Sequence, residues 1–298
     1  MQHDPRQFHP SNGASADLLS LRASMGRRRM LGLLSAAASA AVLAACGSDS
    51  SGDTSSSTGA TGATGATEAT TTTAATTATT ATGTATTDIG VTPEETGGPF
   101  PADGSNDNGE GTTANVLADP GSVRSDIRTD IGGANEQAGV PMTLSVTVLD
   151  AATDTPKAGA AVYVWHCNQA GQYSQYNSSM LGGDFSDFSW LRGVQIADAT
   201  GTVTFTTILP GRYQGRAAHI HFEVFEDGTY GSKLLTSQMA FDDDGVDALY
   251  AAAGYTDALA FDTDNADDQI FGDGVEDQLL TITGDVTSGL AATLTVGV

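Results

Sequence analysis

The sequence predicts an all-β protein, a β-sandwich of two mixed sheets with long loops and little helix. Several short segments alternate apolar and polar residues, which is the period of a half-buried strand. Polar turns separate these segments, and helical periodicity is weak throughout. One apolar, β-prone stretch, 217–224, also carries two histidines that are two positions apart.

Residues 1–46 have the features of an export signal. A twin-arginine segment, Arg27 to Arg29, precedes an apolar run, 30–45, which is short for a membrane-spanning helix and typical of a signal peptide. The run ends in L-A-A-C, which resembles a bacterial lipobox whose cysteine, Cys46, is acylated. The alternative is an ordinary signal peptide in which Cys46 has no role. We therefore expect an exported lipoprotein, anchored to the membrane at Cys46 and facing the extracytoplasmic side.

Residues 47–87 consist mainly of Ser, Gly, Thr and Ala, without aromatic residues or apolar periodicity. Such a segment cannot bury enough surface to offset the entropy lost on ordering, so we predict a disordered linker. The folded domain is predicted to span residues 88–298.

Charge and cysteine content exclude other classes. The formal net charge is −24, and the sequence lacks a basic patch that could neutralise phosphates, so a nucleic-acid partner is not expected. The two cysteines, Cys46 and Cys167, lie in very different contexts, and we infer no disulfide between them.

Strands account for most of the domain. In 142–149, Leu144, Val146 and Val148 alternate with threonine and serine. In 160–167, valines lie on one face while Tyr163 and Trp165 lie on the other. Further strands are predicted at 202–208, 219–225, 233–241, 279–282 and 291–298, with one or two helical turns at 247–253.

The strand predicted at 219–225 carries two candidate metal ligands. His219 and His221 point to the same face, so they form half of a metal site or, alternatively, lie on a solvated strand face. Tyr213 precedes them closely, and Tyr173 follows the strand at 160–167. Zinc sites usually use histidine, cysteine or carboxylates, whereas phenolate is a hard anionic donor. Two phenols with two imidazoles therefore favour Fe(III).

Several blocks, in this order, resemble the intradiol ring-cleavage dioxygenases, which are non-haem iron enzymes. The blocks are T-P-E-E-T-G-G-P at 92–99, V-W-H-C at 164–167, G-Q-Y-S at 171–174, L-R-G-V-Q at 191–195, T-I-L-P-G-R-Y at 207–213 and G-R-A-A-H-I-H-F at 215–222. The resemblance covers essentially all of residues 90–298.

The resemblance implies a non-haem Fe(III) site with four protein ligands: Tyr173, Tyr213, His219 and His221. It implies that a catechol ring is cleaved by O2 between its two hydroxyl-bearing carbons, giving a cis,cis-muconate-type diacid. Tyr213 would take a substrate proton, Arg216 would stabilise negative charge on the ring, and Gln238 would line the pocket.

The sequence departs from the better-known members of this family in two places. Only five residues separate Tyr213 from His219, so we expect a shorter and more open pocket wall. Phe100 occupies a position where many relatives have tyrosine. These departures bear on the substrate more than on iron binding.

Neighbouring residues have simpler interpretations. His166 is expected to be structural, Cys167 a buried free thiol, and Arg192 a brace for a loop. Tyr176 fits the ligand pattern less well than Tyr173. The acidic run 262–268 is predicted to form solvated loops.

Two other functions stay open at this point: a non-enzymatic, surface-anchored β-sandwich that binds ligands, and a zinc hydrolase. The oligomeric state is open as well, and includes a homo-oligomer.

Overall fold

A computed structural model describes residues 89–298. The predicted signal peptide at 1–46, the linker at 47–87 and Cys46 lie outside these residues, so those predictions are not tested. Within the described part of the chain, no helix is long and apolar enough to cross a membrane.

Strands dominate this region. They are β1 (Asp103–Asp107), β2 (Thr113–Asn115), β3 (Pro141–Asp150), β4 (Thr155–Pro156), β5 (Ala161–Trp165), β6 (Asn177–Ser178), β7 (Gly183–Asp184), β8 (Arg192–Ile196), β9 (Thr202–Ile208), β10 (His219–Phe225), β11 (Lys233–Ala240), β12 (Thr281–Asp285) and β13 (Gly289–Gly297). Two α-helices, α1 (Asp243–Ala253) and α2 (Thr256–Leu259), lie between β11 and β12.

Two sheets form the body of the domain. The first has the order β11-β10-β5-β8, and its strands are antiparallel, with isolated parallel bridges at its edges. The second has the order β12-β13-β3-β4, with β9 also paired to β3, and it is mixed because β13 runs parallel to β3. The predicted all-β class is confirmed, but the prediction of two mixed sheets is wrong for the first sheet, whose four strands pair antiparallel.

The main core lies between the two sheets. From the second sheet, β3 contributes Leu144, Val146 and Val148, all at 0% exposure. From the first sheet, alternate residues such as Val164 and Phe222 pack into the same cluster. This is the pattern that period-2 alternation produces when two sheets pack face to face.

The outer face of the first sheet is also buried. Tyr163 and Trp165 point away from the main core and pack with Phe100, Tyr173 and Tyr176, which belong to the segments before β3 and after β5. Every residue of β5 and β10 is consequently buried. The first sheet therefore has one face in the sandwich core and a second face beneath loops, and polar residues on that second face are shielded from solvent.

Several elements differ from the sequence prediction: the short strands β1, β2, β4, β6 and β7 and helix α2 were not predicted. Strand β8 was not predicted, although it completes the first sheet beside β5. Helix α1 begins four residues earlier than predicted, because the Asp242 side chain accepts a hydrogen bond from the Gly245 amide and caps the helix. Only Val246 and Tyr250 of this helix are buried, so its apolar periodicity is weak in the sequence.

Adjacent leucines on β11 test the assignment of the core face. Leu235 is 6% exposed and packs in the main core, whereas Leu234 is 37% exposed. We expect Leu235→Ala to lower the free energy of unfolding by about 2–5 kcal/mol. Leu234→Ala should change it by less than about 1 kcal/mol. Urea unfolding of the two variants measures the difference, and equal losses would contradict the assigned face.

Candidate metal centre

Strand β10 places the two histidines of the H-x-H motif on the outer face of the first sheet. Ile220, between them, points into the sandwich core. Pairing with the neighbouring strands puts His221 opposite Trp165 on one side and Gln238 on the other. His219 and His221 are only 1% and 2% exposed, so the alternative of a solvated strand face is wrong.

A backbone contact orients His219. Its Nδ1 lies 2.7 Å from the carbonyl oxygen of Ala217, and because a carbonyl can only accept, Nδ1 carries the proton. The lone pair of the neutral ring is then on Nε2. Such a contact is typical of metal-binding histidines, since it sets both the tautomer and the direction of the donor atom.

Both predicted tyrosines converge on that nitrogen. The hydroxyl oxygens of Tyr173 and Tyr213 each lie 3.2 Å from Nε2 of His219. The His221 ring stands nearly perpendicular to the His219 ring, with centroids 4.8 Å apart. The structure thus brings the four predicted ligands to one point, although metal binding itself stays a prediction.

A single turn explains the short segment before β10. The amide of Arg216 donates to the carbonyl of Tyr213, and Gly215, at φ +80°, occupies the third position of the turn. A positive φ at that position is typical of a type II turn and favours glycine. The turn places the phenol of Tyr213 and the guanidinium of Arg216 beside each other over His219.

Packing, rather than a hydrogen bond, positions His221. Its ring stacks on Trp165 with a centroid distance of 4.9 Å and an interplanar angle of 3°. Gly98 covers the ring edge: a Cβ there would lie 3.2 Å from Cε1 of His221, and Gly98 has φ +68°. Since a side chain would crowd the imidazole and strain the backbone, glycine suits this position on both counts.

Arg216 is held by two residues, Asp268 and Gln238. Its Nε donates to both carboxylate oxygens of Asp268, at 3.1 and 2.9 Å, and its Nη2 donates to Oε1 of Gln238 at 2.6 Å. Gln238 is fixed in turn, because its amide nitrogen donates to the Thr96 carbonyl at 2.8 Å. Nη1 remains for the centre and lies 3.4 Å from Nε2 of His219.

Burial controls the protonation of the four ring side chains. Desolvation raises the pKa of Tyr173 well above its ordinary value and also raises the pKa of Tyr213. Desolvation lowers the pKa of His219 and of His221 well below the ordinary value. In the protein alone, therefore, the phenols are protonated and the imidazoles are neutral.

Neighbouring residues agree with their structural interpretations. Both ring nitrogens of His166 are engaged, by the Cys167 carbonyl and by the Thr207 hydroxyl, and burial lowers its pKa to about 4. Cys167 is a buried free thiol, and burial raises its pKa to about 12. The Tyr176 hydroxyl contacts Ala102 and Asn106, away from the centre.

Arg192 braces the loop that carries Tyr173. It is 1% exposed, and it donates to the hydroxyl and the carbonyl oxygens of Ser174, the next residue along the chain. It also donates to the carbonyl of Pro101, in the segment before β3. The arginine therefore ties together the two segments that cover the outer face.

Three residues at the centre, Asp268, Gly98 and Trp165, were not predicted from the sequence to contribute to it. Asp268 was assigned to a solvated acidic loop, but its side chain is 0% exposed and pairs with Arg216, so that assignment is wrong. Gly98 and Trp165 were noted only as parts of motifs. No local signal distinguishes Asp268 from its acidic neighbours, because only the path of the chain after α2 brings it to Arg216.

The family model described as Dioxygenase matches residues 122–270, which is half of the chain. The chain therefore belongs to this dioxygenase family, as the sequence motifs predicted. Curated relatives support the intradiol branch of the family. They include catechol 1,2-dioxygenase 1 of Acinetobacter lwoffii, at 34% identity over 30% of this chain and 32% of the relative. Catechol 1,2-dioxygenase of Candida albicans is 29% identical over 40% of this chain and 45% of the relative.

The match spans less than half the length of these curated relatives. Among solved structures, an intradiol ring-cleavage dioxygenase from Tetranychus urticae has a TM-score of 0.54 and 22% identity, covering 70% of this chain and 93% of that one. At this identity the likeness establishes the shared fold alone.

Proposed function

We propose that this protein is a non-haem Fe(III) dioxygenase that cleaves a catechol ring between its two hydroxyl-bearing carbons. The observation that carries this proposal is the convergence of the Tyr173 and Tyr213 hydroxyls on Nε2 of His219, each at 3.2 Å. The other ring of the H-x-H motif, His221, completes the set. Membership of the dioxygenase family and the similarity to catechol 1,2-dioxygenases support the same reaction.

The donor set suits Fe(III). Two buried phenols with raised pKa values lose their protons only if a strong positive charge lies beside them. Hard oxygen donors and neutral imidazoles match a trivalent iron ion better than a soft one. Tyr173, Tyr213, His219 and His221 would hold the metal. When bound, it supplies a Lewis acid that lowers the pKa of both catechol hydroxyls and makes the ring reactive toward O2.

The two tyrosines have different roles because their exposure differs. Tyr173 is 1% exposed and its backbone is tied by Arg192 through Ser174, so it stays in place. Tyr213 is only partly buried and lies at the start of a tight turn. Its hydroxyl oxygen is therefore the one that can move aside and accept a proton from an incoming catechol.

Arg216 and Gln238 act on the substrate ring. Because Nε and Nη2 of Arg216 are occupied, Nη1 is the group that faces the centre. A permanently charged donor held in this way stabilises negative charge on the ring without reorganising. Gln238 fixes the guanidinium and lies opposite His221 across β10 and β11.

The proposed substrates are a catechol and O2. Catechol and O2 combine with both oxygen atoms retained, so that ring opening gives a cis,cis-muconate-type diacid. The alternative, a β-sandwich that only binds phenolic ligands, differs by having no turnover.

Export to the membrane surface belongs to the same proposal. Its support is the twin-arginine segment and the L-A-A-C sequence that ends at Cys46. We expect the full chain to partition with membranes in cell fractionation, and Cys46→Ser to release it or leave it unprocessed. A Cys167→Ser variant, which changes the buried cysteine, should fractionate as the parent does. A Cys46 variant that is cleaved like the parent and still partitions equally with membranes would refute lipidation.

The visible spectrum tests the metal. We expect the iron-loaded full chain to be coloured by charge transfer from tyrosinate to Fe(III), with a band that shifts when catechol is added. Tyr173→Phe should lose most of this band and most of the bound iron. Tyr176→Phe, which changes a neighbouring buried tyrosine outside the centre, should keep both. A colourless protein after iron reconstitution would count against the ligand set.

Oxygen uptake tests the reaction. With catechol, the iron-loaded protein should consume O2 and form a diacid in equal amounts. Arg216→Gln should lower kcat by roughly 10²–10³-fold while the iron content is unchanged, because a preorganised charge is lost. Arg128→Gln, which removes an arginine paired with Asp126 and Glu136 at the surface, should retain the parent rate. A coloured protein without O2 uptake on any catechol would favour the binding function.

A further inference from the structure

Asp268 is built into the centre from a distant part of the chain. Its carboxylate accepts hydrogen bonds from Nε of Arg216, from the Ala217 amide at 2.8 Å and from the Ile270 amide at 2.9 Å. All of these partners are donors, so the group acts as an acceptor only, which is the behaviour of an ionised carboxylate. With 0% of its side chain exposed, Asp268 has no freedom to turn away from Arg216.

The contact between Asp268 and Arg216 has two effects. It fixes the plane of the guanidinium together with Gln238, and it places one negative charge against the one positive charge beside the centre. In a buried site, where charges are weakly screened, Asp268 cancels most of the attraction that Arg216 would exert on an anionic group that it does not contact, while Nη1 still donates to an oxygen within hydrogen-bond reach.

No other cation of the described chain is free to serve this site. Residues 89–298 contain seven Lys and Arg side chains, and each is engaged with carboxylates, carbonyls or hydroxyls of the protein. They are Arg124, Arg128, Lys157, Arg192, Arg212, Arg216 and Lys233. An anionic ring substituent beyond hydrogen-bond reach of Nη1 would therefore lose its hydration at this centre without gaining a counter-ion.

We propose that Asp268 sets the charge selectivity of the centre, so that it accepts catechols with neutral ring substituents and discriminates against catechols that carry a carboxylate. This inference rests on the proposed function and deepens it. Asp268 is a positioning and specificity-determining residue, because it acts through Arg216. The site excludes the disfavoured ligand because the charge of that ligand is left without a partner.

Two catechols of similar size test this: 4-methylcatechol, which is neutral, and 3,4-dihydroxybenzoate, which is anionic. For the iron-loaded parent we expect kcat/KM for the anion to be at least about tenfold lower, with the difference persisting at high salt, since a buried pair is poorly screened. Asp268→Asn should shift the ratio of the two kcat/KM values by roughly tenfold toward the anion. A ratio cancels any loss of active protein, which a merely structural role would cause.

The control is Asp267→Asn. Asp267 is the adjacent residue and is exposed, so the substitution removes the same charge from the same loop without touching Arg216. It should leave the ratio unchanged, as should Asp268→Glu, which retains the charge. A folded, iron-containing Asp268→Asn protein with the parental ratio would overturn the proposal.

A second measurement uses the parent alone, in case Asp268→Asn does not fold. Calorimetry with two non-reacting ligands, 4-methylphenol and 4-hydroxybenzoate, should show the anion binding at least about tenfold more weakly. Equal affinity would overturn the proposal about Asp268 while leaving the dioxygenase reaction intact. A parent protein that consumes no O2 with either catechol would instead overturn the proposed function, and this inference with it.

Discussion

Strand β10 is buried on both faces, and this burial determines the register of the first sheet and the position of the candidate metal ligands. Its alternate residues Ile220, Phe222 and Val224 pack in the sandwich core, while His219 and His221 point to the covered outer face. A slip of one residue in its pairing would put imidazoles into the core and isoleucine into the centre. Antiparallel pairing with β5 and β11 on its two sides fixes the register. The packing that stabilises the domain therefore also holds the candidate metal ligands His219 and His221 in place.

The covering of the outer face has its own physical requirement. Polar groups buried there must find partners, since an unsatisfied buried donor or acceptor costs about 1–3 kcal/mol. Arg192 meets this requirement for the loops by donating to Pro101, Tyr163 and Ser174. Because Ser174 follows Tyr173, the same hydrogen bonds that hold the cover also hold one phenol. A substitution at Arg192 would therefore displace Tyr173, although Arg192 itself does not contact the centre.

The Arg216–Asp268 pair contributes more to the orientation of the Arg216 guanidinium than to the free energy of folding. Removing two charges from water costs several kcal/mol, which their attraction only partly offsets. Here the pair joins the turn before β10 to the loop after α2, and it leaves one guanidinium nitrogen directed toward the centre. The pair therefore presents a fixed hydrogen-bond donor to the centre, while its own two charges oppose each other.

The sequence alone predicts the all-β class, the strands of the two main sheets other than β4 and β8, and the four ring side chains that the structure brings together at the candidate centre. These depend on local signals: period-2 alternation in β3 and β10, the spacing of His219 and His221, and motifs in family order. It did not determine β8, whose five residues carry too little alternation, nor the start of α1, which an aspartate cap sets. Which of the many acidic residues contacts Arg216, and why residue 98 is a glycine, follow only from the folded structure. Both depend on contacts between segments far apart in the chain, where Asp268 meets Arg216 and Gly98 meets His221. No local sequence pattern predicts these contacts, because they form only when distant segments of the chain pack together.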